Sequence, residues 1–297
     1  AIAHGEVLSS LARLIEVTPN LEPDQFSHFT SATLSKQPDI FALSFNPYIR
    51  PEERDEFEGQ MSRILGGGKF EITERDSDKR LVRAGNRPEY VAVAFIAPLQ
   101  GNLPALGFDI NSEPVRRDAI HRSLESGLAA ATAPIRLVQE NQERVGMLVL
   151  APAYREDAAE GGVRKIKGFA VAVIKVDQLV EIATQGLLGA GIMIELLDLA
   201  ADEARRLIYR SPGDTTEKST LPVWTTQLMM ADREWELSVF PTEAYLARHR
   251  PWVAFGVGGA GLLFAALLQI MILAISGRAM HIHRRVEEQT LELRTKN

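Results

Sequence analysis

One segment, Trp252 to Ile275, most constrains the fold of this chain. It contains no Asp, Glu, Lys or Arg, and Gln269 is its most polar side chain. A helix rises about 1.5 Å per residue, so this segment is about 36 Å long as a helix and crosses a hydrocarbon core about 30 Å thick. A bilayer offers no water to backbone groups, so a single crossing segment must be helical. The sequence therefore predicts a transmembrane helix over residues 251–276. The alternative, a core helix of a soluble protein, is disfavoured because such helices seldom stay apolar on every side.

The basic residues on the two sides of this segment are unequal. Arg278, Arg284 and Arg285 follow it, whereas only Arg248 and Arg250 closely precede it. Because positive residues near a span favour the cytoplasmic side, we expect residues 277–297 in the cytoplasm. Residues 1–250 are then extracytoplasmic (periplasmic), in a protein of the cell inner membrane. Since such a domain must be exported, we also expect a further segment, such as a first transmembrane helix, to precede Ala1 in a longer protein.

Length and composition exclude several classes of protein and of site. Residues 1–250 are long enough for one large or two small domains. The net charge of −6 argues against nucleic acid as a partner. The chain has no cysteine, which excludes disulfides and thiolate metal sites and is compatible with an oxidising compartment.

Hydrophobic periodicity predicts an α+β organisation of the region before the span. A helical stripe over residues 1–20 predicts a stalk helix, and two units follow at 21–160 and 161–250, each a small antiparallel sheet with flanking helices. The glycine-containing stretch 155–164 is predicted to link the two units, and a strand at 168–176 to begin the second. Asn46-Pro47 is predicted to end a strand that begins at Ile40.

The chain shows no pattern of residues that indicates catalysis or metal binding. The glycines between 256 and 261 have the spacing of a dinucleotide fingerprint, but they lie in the membrane segment and instead indicate a small-residue face for helix packing. No two of the six histidines have metal-ligand spacing on an outside element, and no Ser-His-Asp or paired-carboxylate pattern is evident. We therefore expect no catalytic residue, no metal and no cofactor in this segment.

The residues after the span show the beginning of a heptad pattern. Ile282, Val286, Gln289 and Leu293 are spaced four, three and four residues apart, with charged residues on the other faces. This pattern predicts a parallel homodimeric coiled coil over residues 277–297 that relays motion from the membrane. The alternative is a solvated amphipathic helix.

Several short motifs, in a consistent order, resemble the CHASE sensory domain. They are YVAVAFIAPLQGN at 90–102, LGFD at 106–109, PVRR at 114–117, Gly127 and TAPIRLVQ at 132–139; NP at 46–47 and the segment 146–154 also fit. The similarity covers about residues 20–200. It depends on the order of the motifs, since no single one is specific.

The resemblance implies a fold and a membrane topology that agree with the stalk helix, the two α+β units and the span predicted from the residues. In that family the domain lies outside the membrane, and a long stalk helix carries two PAS-like antiparallel-sheet units. The membrane-distal unit, residues 21–160 here, binds a small ligand, and residues 161–250 form the membrane-proximal unit. Histidine kinases, diguanylate cyclases or nucleotide cyclases follow on the cytoplasmic side. The tail from Val286 is similar to linkers that lead into PAS or kinase modules, which favours a kinase.

The resemblance also implies a set of pocket residues. Plant members bind cytokinins through an acidic residue at a position near Gln100, so the missing carboxylate argues against a cytokinin here, whereas Thr132 matches a pocket threonine. Asp109 matches a family-typical aspartate that either binds ligand or maintains structure by pairing with Arg116 or Arg117. The expected pocket residues are Phe45, Tyr90, Phe95, Pro98, Gln100, Phe108 and Thr132.

These observations favour extracytoplasmic small-molecule sensing and transmembrane signalling, in the sensor portion of a histidine kinase. The alternatives are the sensor portion of a diguanylate or nucleotide cyclase, and a dimerisation module without a ligand. A membrane-tethered enzyme would require clustered catalytic groups, which the sequence does not indicate.

Overall fold

The computed structural model describes residues 2–66, 68–136, 145–157, 163–184, 191–211, 224–249 and 252–295, and the chain divides into one unit up to Glu243 and another from Ala244. The elements of the first unit, in chain order, are α1 (Ile2–Val17), α2 (Pro23–Lys36), β1 (Ile40–Ile49), α3 (Arg54–Ile64), β2 (Thr73–Arg75), β3 (Leu81–Arg83), β4 (Tyr90–Val91), β5 (Phe95–Ala97), α4 (Pro114–Ser126), β6 (Ala130–Ala131), β7 (Ile135–Arg136), β8 (Val145–Asp157), β9 (Val163–Lys175), α5 (Val176–Ala183), β10 (Ile192–Asp198), β11 (Leu207–Arg210), β12 (Trp224–Met230) and β13 (Arg233–Pro241). Helices α6 (Glu243–Arg248) and α7 (Trp252–Thr295) follow.

The predicted stalk helix is present as α1 and packs against β8 and β9. Leu8, Leu11 and Ile15 are fully buried, because residues three and four apart share one face of a helix. Lys167 of β9 closes its C-terminus by donating hydrogen bonds to the carbonyls of Ile15 (2.7 Å) and Thr18 (2.5 Å). A cation at this end of a helix is favoured by the helix dipole.

The first sheet is antiparallel, with strand order β4-β1-β9-β8-β6; β5 also pairs with β1, and β7 with β8. Its two faces are both buried. Alternate residues of β1 point to opposite faces, so Leu43 and Phe45 join the core on the side of α1 and α2, whereas Ala42 joins a second core on the side of α4. This curled antiparallel sheet with helices on both sides is PAS-like, as expected.

Strand β1 does not end at Asn46, as the Asn46-Pro47 pair suggested, but continues to Ile49. The reason is the place of Pro47, which has no N–H to donate. The carbonyl of Phe45 accepts a hydrogen bond from Ala94 N, so the backbone groups of Phe45 point to the edge of β1 next to β4 and β5. Residues two apart in a strand point their backbone groups to the same edge, so those of Pro47 point there as well. On that side β5 pairs only up to Phe45 and β4 only from Tyr48, so the missing donor has no strand partner to satisfy.

The strand that was expected to begin the second unit, at 168–176, belongs to the first sheet. Strand β9 lies between β1 and β8 and pairs with both of them. Strands β8 and β9 pair as far as Asp157 and Val163, so the predicted linker separates two strands of one hairpin; residues 158–162 lie outside the described residues. Helix α5 and the second sheet follow only after Lys175.

The second sheet has four antiparallel strands in the order β11-β10-β13-β12. A buried ion pair joins its two central strands, since Arg233 donates through Nε (2.8 Å) to the carboxylate of Asp198 and also lies 2.7 Å from it through Nη2. Two-point contact of this kind compensates for the loss of water around buried charges. The first unit is therefore α+β with two antiparallel sheets.

The second unit is helical and contains the predicted span. Helix α7 runs without a break from Trp252 to Thr295. An 18-residue window within Trp252–Glu288 reaches a mean hydropathy of 2.2, and none of it is buried against protein. It is the one helix among the described residues that is long and apolar enough to cross a membrane. Ile282 and Val286 of the predicted heptad are exposed, whereas the side chains of Gln289 and Leu293 lie outside the described part of the chain.

Replacing Gly168 with alanine should destabilise the first sheet strongly. An added Cβ would lie 2.5 Å from the carbonyl oxygen of Asn46 and 2.6 Å from Cα of Pro47, and neither backbone atom can move without disturbing the pairing of β1 with β9. We expect Gly168→Ala to lower the free energy of unfolding by about 2–4 kcal/mol. Urea denaturation measures this change.

The matched control is Gly59→Ala in α3, where an added Cβ meets nothing within 4 Å. Alanine favours a helix over glycine, so this change should raise the free energy of unfolding by about 0.5–1 kcal/mol. Equal effects of the two substitutions would contradict the close approach of β1 to β9.

Candidate functional site

A small cavity lies between the first sheet and the α4 side of the molecule. Its volume is about 30 Å³, and it is lined by residues of β1, β8 and β9, by the segment between β4 and α4, and by α4 itself. Its lining residues are Ser44, Asn46, Val93, Ile96, Ala105, Phe108, Ile110, Arg116, Leu148, Val171 and Val173. Most of them are apolar, and three bring hydrogen-bonding groups.

Two of the polar residues stand next to each other on β1. Ser44 and Asn46 are two residues apart, so the alternation of a strand directs both to the cavity face. The hydroxyl of Ser44 donates to Oδ1 of Asn46 at 2.7 Å, and both residues are buried. The Asn46 Nδ2 atom has no hydrogen-bond partner among the described residues. An amide group left in this state costs stability, as a binding group does before its ligand arrives.

The third polar residue, Arg116, brings a positive charge to the cavity. It lies in the first turn of α4 and is only 2% exposed. Its guanidinium carbon lies 5.0 Å from the centre of the Phe108 ring, and its Nε lies 3.2 Å from the carboxylate of Glu113. Burial lowers the pKa of Arg116 to about 10, against the opposing effect of Glu113 and with a smaller contribution from Arg75. The side chain is therefore still charged at neutral pH.

Asp109 organises the segment that covers the cavity. Its Oδ1 accepts hydrogen bonds from the backbone N–H groups of Val91 (2.9 Å) and Asn111 (3.0 Å), and its Oδ2 lies 3.4 Å from Arg87. Burial raises the pKa of Asp109, although these partners oppose the shift. The ion pair of Asp109 is thus with Arg87, not with Arg116 or Arg117 as expected. Two roles were expected for Asp109, ligand binding and structural maintenance, and these contacts fit the structural one.

Thr132 and Tyr90 are both engaged in hydrogen bonds of the core. Thr132 donates from its N–H to the carbonyl of Leu148 (2.9 Å) and accepts at Oγ1 from Leu148 N (3.0 Å). It therefore fixes a residue that lines the cavity. Tyr90 donates from its hydroxyl to the carbonyl of Gly85 at 3.0 Å and accepts from Arg54 at 3.2 Å.

The structure does not bring the predicted pocket residues around one cavity. Phe108 lines the small cavity, whereas Phe45 and Phe95 line a separate cleft of about 1140 Å³ on the opposite face of the sheet, beside α2 and α3. Pro98 and Gln100 lie on an exposed turn between β5 and α4. Contact of any of these residues with a ligand stays a prediction.

Sequence reasoning missed Ser44 and Asn46 as candidate ligand contacts. The signal was present, because two polar residues occupy alternate positions in the otherwise apolar strand that begins at Ile40. Asn46 was interpreted as the end of the strand, so its position on the cavity face was not considered.

A second polar cluster connects α4 and β6 to the second sheet, and we call it the Arg122–Asp232 latch. Asp232 lies in the turn between β12 and β13, and its Oδ1 accepts from the backbone N–H of Ala131 at 2.8 Å. Its Oδ2 pairs with Arg122 of α4, which also donates to the carbonyl of Ala131 at 2.7 Å. Ala131 directly precedes Thr132, whose hydrogen bonds hold the backbone of Leu148. The latch and the lining of the cavity are therefore joined through neighbouring residues.

Replacing Asp109 with asparagine should remove a component of the pH dependence of stability. The native pKa is raised above the unfolded value of about 3.9, so protonation favours the native state, and stability falls as pH rises from that value through the native pKa. An asparagine side chain would keep the Oδ1 acceptor but cannot titrate. Urea denaturation of both proteins from pH 3.5 to 7 should therefore show a smaller decrease for Asp109→Asn.

Two further variants complete this test. Asp55→Asn is the matched control, because its side chain is 95% exposed and its substitution should leave the profile unchanged. Asp109→Ala should cost about 2–5 kcal/mol at all pH values, because two buried N–H groups lose their acceptor. An Asp109→Asn profile equal to that of the wild type would contradict the raised pKa.

Comparison with known proteins identifies the family of the chain. The CHASE domain family matches residues 19–209. Hybrid signal transduction histidine kinase A of Dictyostelium discoideum is 20% identical and covers 88% of this chain, which corresponds to 13% of that protein. The chain therefore spans only a small part of the length of that curated relative.

Two solved structures are similar to the chain at low identity. The periplasmic sensory domain of the Campylobacter jejuni chemoreceptor Tlp1 is 10% identical, with a TM-score of 0.48 over 84% of this chain and 89% of that one. An extracellular ligand binding receptor from Desulfohalobium retbaense is 12% identical, with a TM-score of 0.48 over 80% of this chain and 36% of that one. The match of the family over most of the first unit decides the assignment: the chain belongs to the CHASE domain family, and it is a sensory protein with an extracellular domain and a candidate membrane-spanning helix.

Proposed function

We propose that this chain detects a small molecule outside the cell by binding it in the small cavity beside the first sheet. The single observation that carries the proposal is the cavity itself, in which the buried polar groups of Ser44, Asn46 and Arg116 face a mostly apolar lining. Ligand sites are typically apolar concavities with a few placed polar groups. On this proposal Phe108 contacts the ligand, and Thr132 supports Leu148.

The cost of burying Asn46 supports a binding role. Its Nδ2 atom has no hydrogen-bond partner among the described residues, and burying an amide in this state reduces stability. Leucine at this position would fill the same space at lower cost. A ligand that supplies an acceptor returns the lost interaction, and it does so only when it is bound.

We propose that the Arg122–Asp232 latch carries the response to the second sheet. A ligand can shift the equilibrium between two conformations of a receptor only by as much as its affinity differs between them. The cavity is too small for a metabolite of many atoms, so binding requires α4 or the segment between β4 and α4 to move. Arg122 lies on the same helix as Arg116, and Asp232 immediately precedes β13. Strand β13 leads along the chain through α6 to α7.

We propose for the whole receptor the arrangement that the sequence predicts, except for the boundary between the two subdomains. Residues 21–175 form the membrane-distal ligand-binding subdomain and residues 176–250 the membrane-proximal one, because β9 belongs to the first sheet. Helix α7 crosses the inner membrane, its last residues are cytoplasmic, and the chain works as a homodimer. A histidine kinase is the proposed output, and a diguanylate or nucleotide cyclase is the alternative. The catalytic function lies outside this segment.

A screen of small metabolites by thermal unfolding tests the proposed site. A compound that binds should raise the melting temperature of the wild type but not that of Asn46→Leu, because leucine fills the cavity and removes the amide. The matched control is Gln60→Leu, which changes an exposed amide at the cleft on the opposite face.

Two other results of this screen would contradict the proposed site. Loss of the response in Gln60→Leu alone would move the site to the cleft. A screen without any binding compound, together with a stable dimer, would favour the dimerisation module.

Breaking the latch should uncouple the two sheets with little effect on the cavity. Both side chains are about a third exposed, so a double-mutant cycle with Arg122→Ala and Asp232→Ala should give a coupling energy of about 0.5–1.5 kcal/mol. Hydrogen exchange of the Ala131 amide should accelerate in Asp232→Ala, because its acceptor is lost.

The control cycle uses Arg80 and Asp78, whose side chains are 73% and 66% exposed, and this pair should couple by less than about 0.5 kcal/mol. In the full-length receptor, Asp232→Ala should reduce the response to ligand at unchanged affinity. A normal response in that variant would remove the latch from the signal route.

A further inference from the structure

We propose that the cavity recognises a hydroxyl group on an uncharged molecule, through the neighbouring side chains of Ser44 and Asn46. This inference rests on the proposed function, because it assigns a ligand class to the same cavity. It depends on the hydrogen-bonding groups of these two side chains, on the charges around the cavity and on the size of the space.

Asn46 brings a hydrogen-bond donor to the cavity. The residue is only 1% exposed, so almost no water from outside reaches it. Its Oδ1 accepts a hydrogen bond from the Ser44 hydroxyl at 2.7 Å, whereas its Nδ2 has no partner among the described residues. A buried amide nitrogen in this state reduces stability until an acceptor reaches it. The matching ligand therefore supplies an acceptor atom at this position.

Ser44 adds an acceptor next to this donor. A serine hydroxyl has one hydrogen and two acceptor sites, and the hydrogen of Ser44 is used on Oδ1 of Asn46. Because Oδ1 and Nδ2 belong to one amide group, Oγ of Ser44 is also near Nδ2, and a single ligand oxygen can contact both. A hydroxyl accepts one hydrogen bond and donates another, so it satisfies Nδ2 and Oγ together. A carbonyl oxygen satisfies Nδ2 alone.

The charges around the cavity favour a ligand without a charge. Arg116 is the one charged side chain among the described lining residues, and the carboxylate of Glu113 lies 3.2 Å from its Nε. Since these two charges balance each other, an ionic ligand would bring an additional charge into a buried space. Burying an unpaired charge costs far more than burying a neutral group that forms its hydrogen bonds. Carboxylate and ammonium ligands are therefore disfavoured.

The size of the cavity limits how much of the ligand enters. A volume of about 30 Å³ equals the share of one molecule in liquid water, so the present form admits a hydroxyl head group and little more. Val93, Val171 and Val173 line the same space and would contact a short alkyl group. Two sources share this chemistry: a free short-chain alcohol, and the hydroxyl end of a larger uncharged molecule that enters as the covering segment opens.

The test compares molecules of one shape that differ in a single functional group. Propan-2-ol, acetone, acetate and isopropylammonium each have three groups around one central carbon. Each is titrated into the isotope-labelled, purified chain in detergent, with sodium chloride as the control for ionic strength. The NMR signals of Asn46 Nδ2 and of the Val171 and Val173 methyl groups are recorded. Ligands this small have dissociation constants no lower than about 40 µM, so the criterion for binding is a shift that saturates.

Propan-2-ol should shift these signals to saturation. Acetone provides the acceptor for Nδ2 but cannot donate to Ser44, so it should bind about 3–10-fold more weakly, the effect of one hydrogen bond. Acetate, isopropylammonium and sodium chloride should give no saturable shift, because the cavity offers no compensation for a further charge.

Variants separate binding in the cavity from a general effect of the solvent. Asn46→Leu should abolish the methyl shifts, whereas Gln60→Leu, at an exposed amide of the cleft on the opposite face, should leave them unchanged. Ser44→Ala removes the acceptor for the ligand hydroxyl, so the affinities for propan-2-ol and acetone should come within about twofold of each other. This variant tests the inference even where Asn46→Leu does not fold.

A series from methanol to butan-1-ol distinguishes the two sources of the hydroxyl group. A maximum affinity at methanol or ethanol indicates a free short-chain alcohol. Affinity that increases steadily to butan-1-ol indicates the end of a larger molecule, as does an Asn46-dependent hydroxyl compound from the metabolite screen when the alcohols give no shift. Each of these results supports the inference.

Other results would overturn it. Acetone that binds the wild type as tightly as propan-2-ol, a propan-2-ol shift that persists in Asn46→Leu, or saturable binding of acetate or isopropylammonium in the cavity would exclude this ligand class. No shift with the alcohols, together with an Asn46-dependent compound that has no hydroxyl group, would refute this inference and leave the proposed function intact. No Asn46-dependent binder of any class would refute both.

Discussion

The pairing of β9 with both β1 and β8 is the interaction on which the rest of the first unit depends. It places three long strands side by side, so that one face of the sheet buries the stalk helix and the other closes the cavity. Gly168 allows β1 to approach closely enough for this pairing, and Lys167 next to it closes the end of α1. Support for the stalk helix and for the candidate site thus comes from neighbouring residues of one strand.

Features set by local sequence could be predicted, whereas features set by long-range pairing could not. The stalk helix has a clear apolar stripe, α4 begins at Pro114 and ends before Gly127, and α7 has an unbroken apolar run. Each of these signals lies within the element that it predicts. The position of β9 was missed because a strand carries no local record of its partners, and the glycines before it were interpreted as a linker.

The same distinction applies to the candidate site. The resemblance to the CHASE family indicated Phe108, which lines the cavity, but also Phe45 and Phe95, which face the other side of the sheet. A difference of one position in a strand reverses the face on which a side chain lies. Family motifs locate a segment of chain, whereas only the register of the strand shows that Asn46 faces the cavity and Phe45 does not.

The continuity of α7 limits the kinds of movement that this chain can deliver. The helix has 44 residues and no proline, so it forms a continuous rod about 66 Å long. A rod of this kind transmits rotation or axial displacement from one end to the other instead of absorbing it in a bend. Each added residue turns the far end by about 100°, so the angular phase of whatever follows Thr295 is set by the residue count of the helix.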